Sequence, residues 1–210
     1  MRELTLWLVR HGQSTANAGQ PSDDHMEISL TGFGHDQARA AALRAVRAPN
    51  LLVVSPMHRA VQTADAFLHR WPRAAREVWP IGEFTYLCPS RCVGTTATDR
   101  RAWVAAYWAR CDPRFVDGEG AESFAAFMGR VSAFHERIMA LGDGFVVAIG
   151  HGQFFRAYTL ALKQGFATTS QAMRDFRAAE TANPLANGEV VEITLLTDKV
   201  TPGLSARTGE

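Results

Sequence analysis

Cysteine is scarce in this chain. Cys88, Cys92 and Cys111 are an odd number and too few for a disulfide scaffold. No paired Cys/His motif at zinc spacing lies near Cys88 and Cys92, so all three are read as free thiols and no metal is expected. An excess of either charge is also missing. Basic and acidic residues nearly cancel, to a formal +1, which leaves no long-range field to gather nucleic acid or an anionic membrane. Any anion recognition must therefore be local. No apolar run approaches the length of a membrane span, and Arg2 and Glu3 before a short apolar stretch do not resemble a signal peptide. Internal repeats and low-complexity blocks are absent. What remains is an ordinary soluble composition, nearly half hydrophobic and a fifth charged, expected in the reducing cytoplasm. With 210 residues the chain can build one sizeable core.

Three segments are apolar almost throughout, as in parallel strands covered on both faces: residues 4–9, Leu51-Leu52-Val53-Val54, and Phe145-Val146-Val147-Ala148-Ile149. Each is followed by a polar turn and a helical pattern. Thr31 is positioned to cap a helix running to about residue 46, closed by Pro49. Ser55-Pro56 reads as an N-cap with proline at the first helical position, opening a helix toward Trp71. A third helix follows Gly150. Residues 83–101 are irregular, 102–111 helical, 123–141 a long amphipathic helix, and 190–195 a last strand at the sheet edge. This alternation predicts an α/β fold, a three-layer sandwich whose mainly parallel central sheet carries helices on both faces. The expected organisation is a single domain over residues 1–200, with an insertion or cap at about 80–120, and a mobile tail at 201–210.

The three strand-like segments each end in a group suited to phosphate. The first delivers Arg10-His11-Gly12. The second is followed by Ser55-Pro56-Met57-His58-Arg59, and the third delivers Gly150-His151-Gly152. In one parallel sheet these ends share an edge, where ligands of open α/β sheets bind. Taken singly, each residue has a plainer reading: a hydrogen-bonded structural histidine, a surface arginine, a turn glycine. Their joint occurrence at successive strand ends is what those readings explain poorly.

The run Leu8-Val9-Arg10-His11-Gly12-Gln13-Ser14-Thr15-Ala16-Asn17 resembles the signature of the histidine phosphatase superfamily, the phosphoglycerate mutase-like fold. Further segments match in the same order: Leu30-Thr31-Gly32-Phe33-Gly34 with Gln37-Ala38, then Val54-Ser55-Pro56-Met57-His58-Arg59-Ala60-Val61-Gln62-Thr63-Ala64. Gly120-Ala121-Glu122-Ser123-Phe124 and His151-Gly152 complete the series, which spans most of the chain.

The resemblance implies a metal-independent phosphomonoester hydrolase of small phosphorylated substrates. His11 would be the nucleophile, forming a covalent phosphohistidine with its other ring nitrogen held by a carbonyl at the Gly12 turn. Arg10, Arg59 and a protonated His151 would meet the phosphoryl oxygens. Asn17, Gly152 and backbone N–H groups from Gly12 onward would complete the cradle. Glu83, in Ile81-Gly82-Glu83-Phe84, would serve as general acid and base, with Glu77 the next candidate. Two departures stand out: Gly150 replaces a serine found in many relatives, and the segment after Glu83 does not match phosphoglycerate mutases. The insertion also looks short for a mutase lid. A mutase-type phosphotransferase and a non-catalytic phospho-ligand-binding module are the alternatives. Arg91, Arg100, Arg101, Phe84, Tyr86, Trp103 and Trp108 are expected either to line the cleft or to pack as a small cap. Neither the substrate nor the oligomeric state follows from these motifs.

Overall fold

The computed structural model describes residues 2–197; the expected tail at 201–210 lies outside them. In chain order the elements are β1 (Arg2–Arg10), α1 (Gly32–Arg44), β2 (Leu51–Val54), α2 (His58–Arg70), β3 (Ala75–Val78), α3 (Pro89–Cys92), α4 (Arg101–Arg110), α5 (Phe124–Ala140), β4 (Gly144–Gly150), α6 (Gly152–Gln164), α7 (Ser170–Ala182) and β5 (Val190–Thr197). The sheet order is β3-β2-β4-β1-β5, parallel except for β5, which runs antiparallel to β1 at the edge.

The unbroken apolar character of the central strands has a direct cause: alternate side chains enter two different cores. Leu4, Leu6 and Leu8 face one core together with Phe127, Phe134, Phe154 and Tyr158 of α5 and α6. Trp7 and Val9 face the other, with Ala41 of α1 and Ala60 and Phe67 of α2. Helices thus cover both faces, as expected. The segment after Glu83 folds back into the first core. Phe84 stacks on Phe127 with ring centroids 4.3 Å apart, and Tyr107 of α4 joins the same cluster.

Register sets up the site. Arg10 pairs with Gly150 between β1 and β4, and Val54 pairs with Ile149 between β2 and β4. The backbone continues this alignment one residue further, with His11 N–H donating to Gly150 O (2.9 Å) and Ser55 N–H to Ile149 O (3.0 Å). His11, Ser55 and His151 therefore leave the sheet side by side.

Several boundaries differ from the sequence expectation. Helix α2 begins at His58 with Met57 as its N-cap residue, not at Ser55-Pro56, and the Ser55 hydroxyl both bonds His151 (2.7 Å) and accepts Met57 N–H (3.3 Å). Helix α1 ends at Arg44, two residues early. Thr31 caps α1 as expected, accepting from Gly34 N, whereas Ser123, expected as the first residue of the long helix, is the cap of α5 and accepts from Ala126 N. Helices α3 and α7 were not anticipated. The fully buried residues of α7 are only Met173 and Phe176, so its apolar period is faint.

Candidate active site

The loop after β1 is pinched against the start of α1 by two glycines. A Cβ on Gly12 would lie 2.1 Å from Gly34 O, and one on Gly34 would lie 2.1 Å from Gln13 O. No other residue fits either position without moving backbone. The pinch fixes the peptide that follows His11. The buried His11 donates Nδ1–H to Gly12 O (2.7 Å), which leaves the Nε2 lone pair to accept Arg59 Nε–H (3.1 Å). Burial, then the Arg59 and Arg10 charges, hold His11 well below the ordinary histidine range; the Gly12 bond opposes them only in part. The imidazole is neutral, with its Nε2 lone pair accepting from Arg59.

Arg59 sits on the first turn of α2 and is buried. It also donates Nη1–H to His25 O (2.8 Å). Burial brings its pKa down to about 10, with Glu83 opposing and Arg10 assisting, and it stays charged at neutral pH. Arg10 donates from Nη1 to the Leu185 carbonyl, while its buried Nε has no partner among the described residues. A Cβ on Gly152 would come 3.3 Å from Arg10 Nε, a tight contact that the arginine side chain could accept only by shifting a few tenths of an ångström.

His151 is fully buried, its ring centroid 5.1 Å from that of His11. Nε2 is bonded to Ser55 Oγ at 2.7 Å, and Nδ1 has no partner among the described residues. The expectation of a protonated His151 is not met in the unliganded site. Burial first, then Arg59, His11, Arg10 and Arg130, drive its pKa well below the ordinary value, because a third positive charge has nothing to balance it. Gly150 does not leave His151 without a hydroxyl: Ser55 supplies one from β2. A Cβ on Gly150 would stand 2.9 Å from Phe155 Cζ and 3.4 Å from Ile81 O, leaving little room for a serine there.

The expected cradle of backbone N–H groups after Gly12 is also corrected. Those donors are already used, Gly12 N by Thr63 Oγ1 (3.2 Å), Gln13 N by Gln37 Oε1 (2.8 Å) and Ser14 N by Asn17 Oδ1 (3.2 Å). Buried or half-buried amides need partners in the empty protein, and side chains meet that need here. Asn17 Oδ1 further accepts from Ser14 Oγ (2.9 Å) and Asn187 Nδ2 (3.1 Å), so the amide nitrogen of Asn17 is the group it can offer a ligand. Asn187 also donates to His11 O (3.1 Å).

Glu83 lies opposite, at the start of α6. Its carboxylate accepts from Gln153 N (3.1 Å) and Phe84 N (3.2 Å). Burial raises its pKa, while Arg59, Arg10 and the backbone bonds pull the other way. Glu77 points elsewhere, accepting from Trp79 Nε1 (2.7 Å) and pairing with Arg137 (3.6 Å) on the exposed β3 edge. Sequence reasoning missed Ser55, Thr63 and Asn187 as parts of the site. The first two stood inside a quoted motif, whereas Asn187 had no motif to flag it.

A cavity of about 290 Å³ opens beside Arg59 and Glu83. Of the residues expected to line a cleft, Phe84, Tyr86 and Arg100 do so. Arg91 pairs with Asp117 and Arg101 donates to Thr98 Oγ1 (3.2 Å), while Trp103 and Trp108 pack in the cap. Among the described residues there is no disulfide, no group of three or more His, Cys, Asp or Glu side chains that could hold a metal ion, and no helix long and apolar enough to cross a membrane.

Comparison with known proteins matches residues 6–182 to the histidine phosphatase superfamily (branch 1). A glucosyl-3-phosphoglycerate phosphatase from Mycolicibacterium vanbaalenii is 30% identical over 176 residues, covering 77% of this chain and 75% of that protein. Among solved structures, a mycobacterial glucosyl-3-phosphoglycerate phosphatase superposes with a TM-score of 0.69 at 23% identity, over 92% of this chain and 91% of its own. The α-ribazole phosphatase of Shigella flexneri gives 0.66 at 21%, over 90% and 89%. Below 25% identity these two similarities concern the fold.

Proposed function

The chain belongs to the histidine phosphatase superfamily, branch 1, and from that membership we propose that it is a metal-independent phosphomonoester hydrolase acting through a phosphohistidine on His11. The observation that carries this reading is the state of His11: neutral, its Nδ1–H tied to Gly12 O and its Nε2 aimed at a buried cation. An imidazole so held is a ready nucleophile, because no proton has to leave before attack.

In the first step the substrate phosphate displaces the Arg59–His11 contact and takes the guanidiniums of Arg10 and Arg59. The orphan Arg10 Nε and His151 Nδ1 are the donors that have no protein acceptor, and both suit a phosphoryl oxygen. With Ser55 Oγ accepting from Met57 N (3.3 Å) and directing its own hydrogen at His151 Nε2, the neutral ring carries its single hydrogen on Nδ1 and points it at the anion. His11 Nε2 attacks phosphorus, the P–O ester bond breaks, and the departing oxygen takes the proton of Glu83. The positive charge created on the His11 ring is met by Gly12 O. In the second step the Glu83 carboxylate takes a proton from water, whose oxygen attacks phosphorus. The P–N bond breaks, and free phosphate leaves with His11 and Glu83 restored. Two fixed guanidiniums supply the charge that a metal supplies elsewhere.

The relatives' names, phosphatases of glucosyl-3-phosphoglycerate and of α-ribazole phosphate, support a small phosphorylated substrate. The test is hydrolysis of an aryl phosphate in the presence of chelator, with trapping of acid-labile, base-stable phosphate on His11. Turnover without such an adduct would overturn the mechanism, and transfer of the phosphoryl group back to substrate without release would favour a mutase.

A further inference from the structure

The cavity that receives the leaving group is chemically lopsided. Near the phosphate end it carries Arg59 and Glu83, but its walls beyond them are mostly carbon, with Ala16, Ile28, Met57, Leu87 and Val104 among them. A polyol leaving group needs a hydrogen-bond partner for each hydroxyl it buries. The uncharged polar side chains of this wall are Ser22, His25, Thr85 and Tyr86, of which Thr85 already donates to Glu83 O (3.4 Å), and apolar ones outnumber them.

Set into it is one cation, Arg100, at the N-cap position of α4. The other cap arginines are committed: Arg91 pairs with Asp117 and lies over the Trp103 ring, Arg101 donates to Thr98, and Arg130 holds Glu122 and two carbonyls. The half-buried Arg100 makes no side-chain hydrogen bond or ion pair among the described residues. It also borders a neighbouring surface groove containing Asp23 and Asp24, where Asp24 is engaged by Met26 N–H (2.7 Å). A guanidinium with no hydrogen bond or ion pair among the described residues, its charge acting only at longer range on Asp99 and Tyr86, is suited on such a wall to a carboxylate or similar oxyanion arriving on the end of an apolar body.

We infer that this enzyme takes phosphomonoesters of apolar alcohols that carry a second anionic group at the far end, bound by Arg100, and discriminates against polyol phosphates. The inference rests on the phosphatase reading above and adds the substrate class to it.

The test uses phosphates of ω-hydroxy carboxylic acids with two to eight carbons, matched against n-alkyl phosphates of equal length and glycerol phosphate. Beyond the shortest acids the leaving alcohols differ little in acidity, so kcat/KM reports the pocket. Lengthening the n-alkyl series should raise kcat/KM about threefold per methylene until the cavity is filled. At the length that reaches Arg100 the carboxylate should add about a further tenfold, as a charge-assisted bond does. Arg100→Met should collapse that carboxylate-to-alkyl ratio to below about threefold. Val104→Thr, which preserves shape but adds a hydroxyl, should flatten the dependence on methylene number. Thermal melts of both variants report on folding.

If glycerol phosphate is hydrolysed as well as the long-chain esters, or the ratio survives Arg100→Met in a folded protein, the inference is overturned while the phosphatase reading stands. If no phosphomonoester of any class releases phosphate, the phosphatase reading itself fails and the inference with it.

Discussion

The two halves of the site are built on different physical terms. At the phosphate end, polar groups are buried and nearly every one has a specific partner: His11 with Gly12 and Arg59, His151 with Ser55, Gly12 N with Thr63. In the cap, rings pack on rings, with Phe84 touching Tyr86, Tyr107, Trp108, Phe124, Phe127 and Phe176. A polar network loses most of its value if one member is removed, because the stranded partner stays buried and unsatisfied. An apolar cluster loses volume and can partly close over the gap. The phosphate end should therefore be intolerant of small chemical changes, and the cap tolerant of shape-preserving ones.

The strongest challenge to this contrast is His11→Ala. Removing the proposed nucleophile is expected to lower phosphate release by about 10⁶-fold while the fold persists, since deleting a catalytic nucleophile elsewhere costs that much. A variant keeping a tenth of wild-type activity would break both the contrast and the mechanism. Glu83→Gln comes next, with a loss on the order of 10³-fold on alkyl esters, within the range for general acids. On an aryl phosphate with a strongly acidic leaving group the same variant should show a burst followed by slow turnover, because the first step no longer needs a proton and the second still needs a base. Stopped-flow detection of the phenolate decides it.

In the cap, Phe84→Ala should destabilise by about 3 kcal/mol in denaturant melts, as for a buried aromatic truncation, whereas Phe84→Leu should cost about 1 kcal/mol. If Phe84→Leu reduced kcat as much as Glu83→Gln, the two halves would not be separable. Ser55→Ala sharpens the other side. It strands His151 Nε2 and is expected to cost about tenfold in kcat/KM, with Ser55→Thr restoring part of it if the γ-methyl fits.

The smallest effect is on stability against pH. His11 and His151 titrate well below 6.5 in the folded protein, whereas an unfolded chain protonates them near that value. The unfolded state then binds more protons below pH 6.5, so stability is fully present above it and declines as the pH falls. Glu83, raised above 4.5, acts in the opposite direction over its own window, where the folded state binds the extra proton. Glu180, raised by burial to about 7, also opposes the histidines over this range, so the check is made on Glu180→Gln: there, a melting temperature that rises on acidification from 7 to 5 would contradict the neutral histidines.

Much of the framework was legible because it depends on local chemistry. Continuous apolar runs at 4–9, 51–54 and 145–149 belong to strands covered on both faces, and Thr31 is a cap wherever a helix follows it. The errors share one cause. Ser55 looked like a helix cap because serine beside proline usually is one, yet a histidine nearly a hundred residues away bonds its hydroxyl. His151 was expected to be charged, since a phosphate ligand favours that form. Only the packed surroundings reveal that burial and two neighbouring arginines keep it neutral in the empty site.

The sequence alone determined the chemical inventory and its order: a histidine or arginine after each of three apolar strands, a glutamate after Ile81-Gly82, and glycines where the loop turns. Strand period and helix capping are properties of neighbours in the chain, so they could be read from it. Tertiary structure decided which donors are spent and which are open. Gly12–Ser14 amides went to Thr63, Gln37 and Asn17, while Arg10 Nε, His151 Nδ1 and the Arg100 guanidinium have no hydrogen-bond partner among the described residues. Hydrogen-bond satisfaction and desolvation depend on atoms brought together by strand register and packing, across separations that no local pattern encodes.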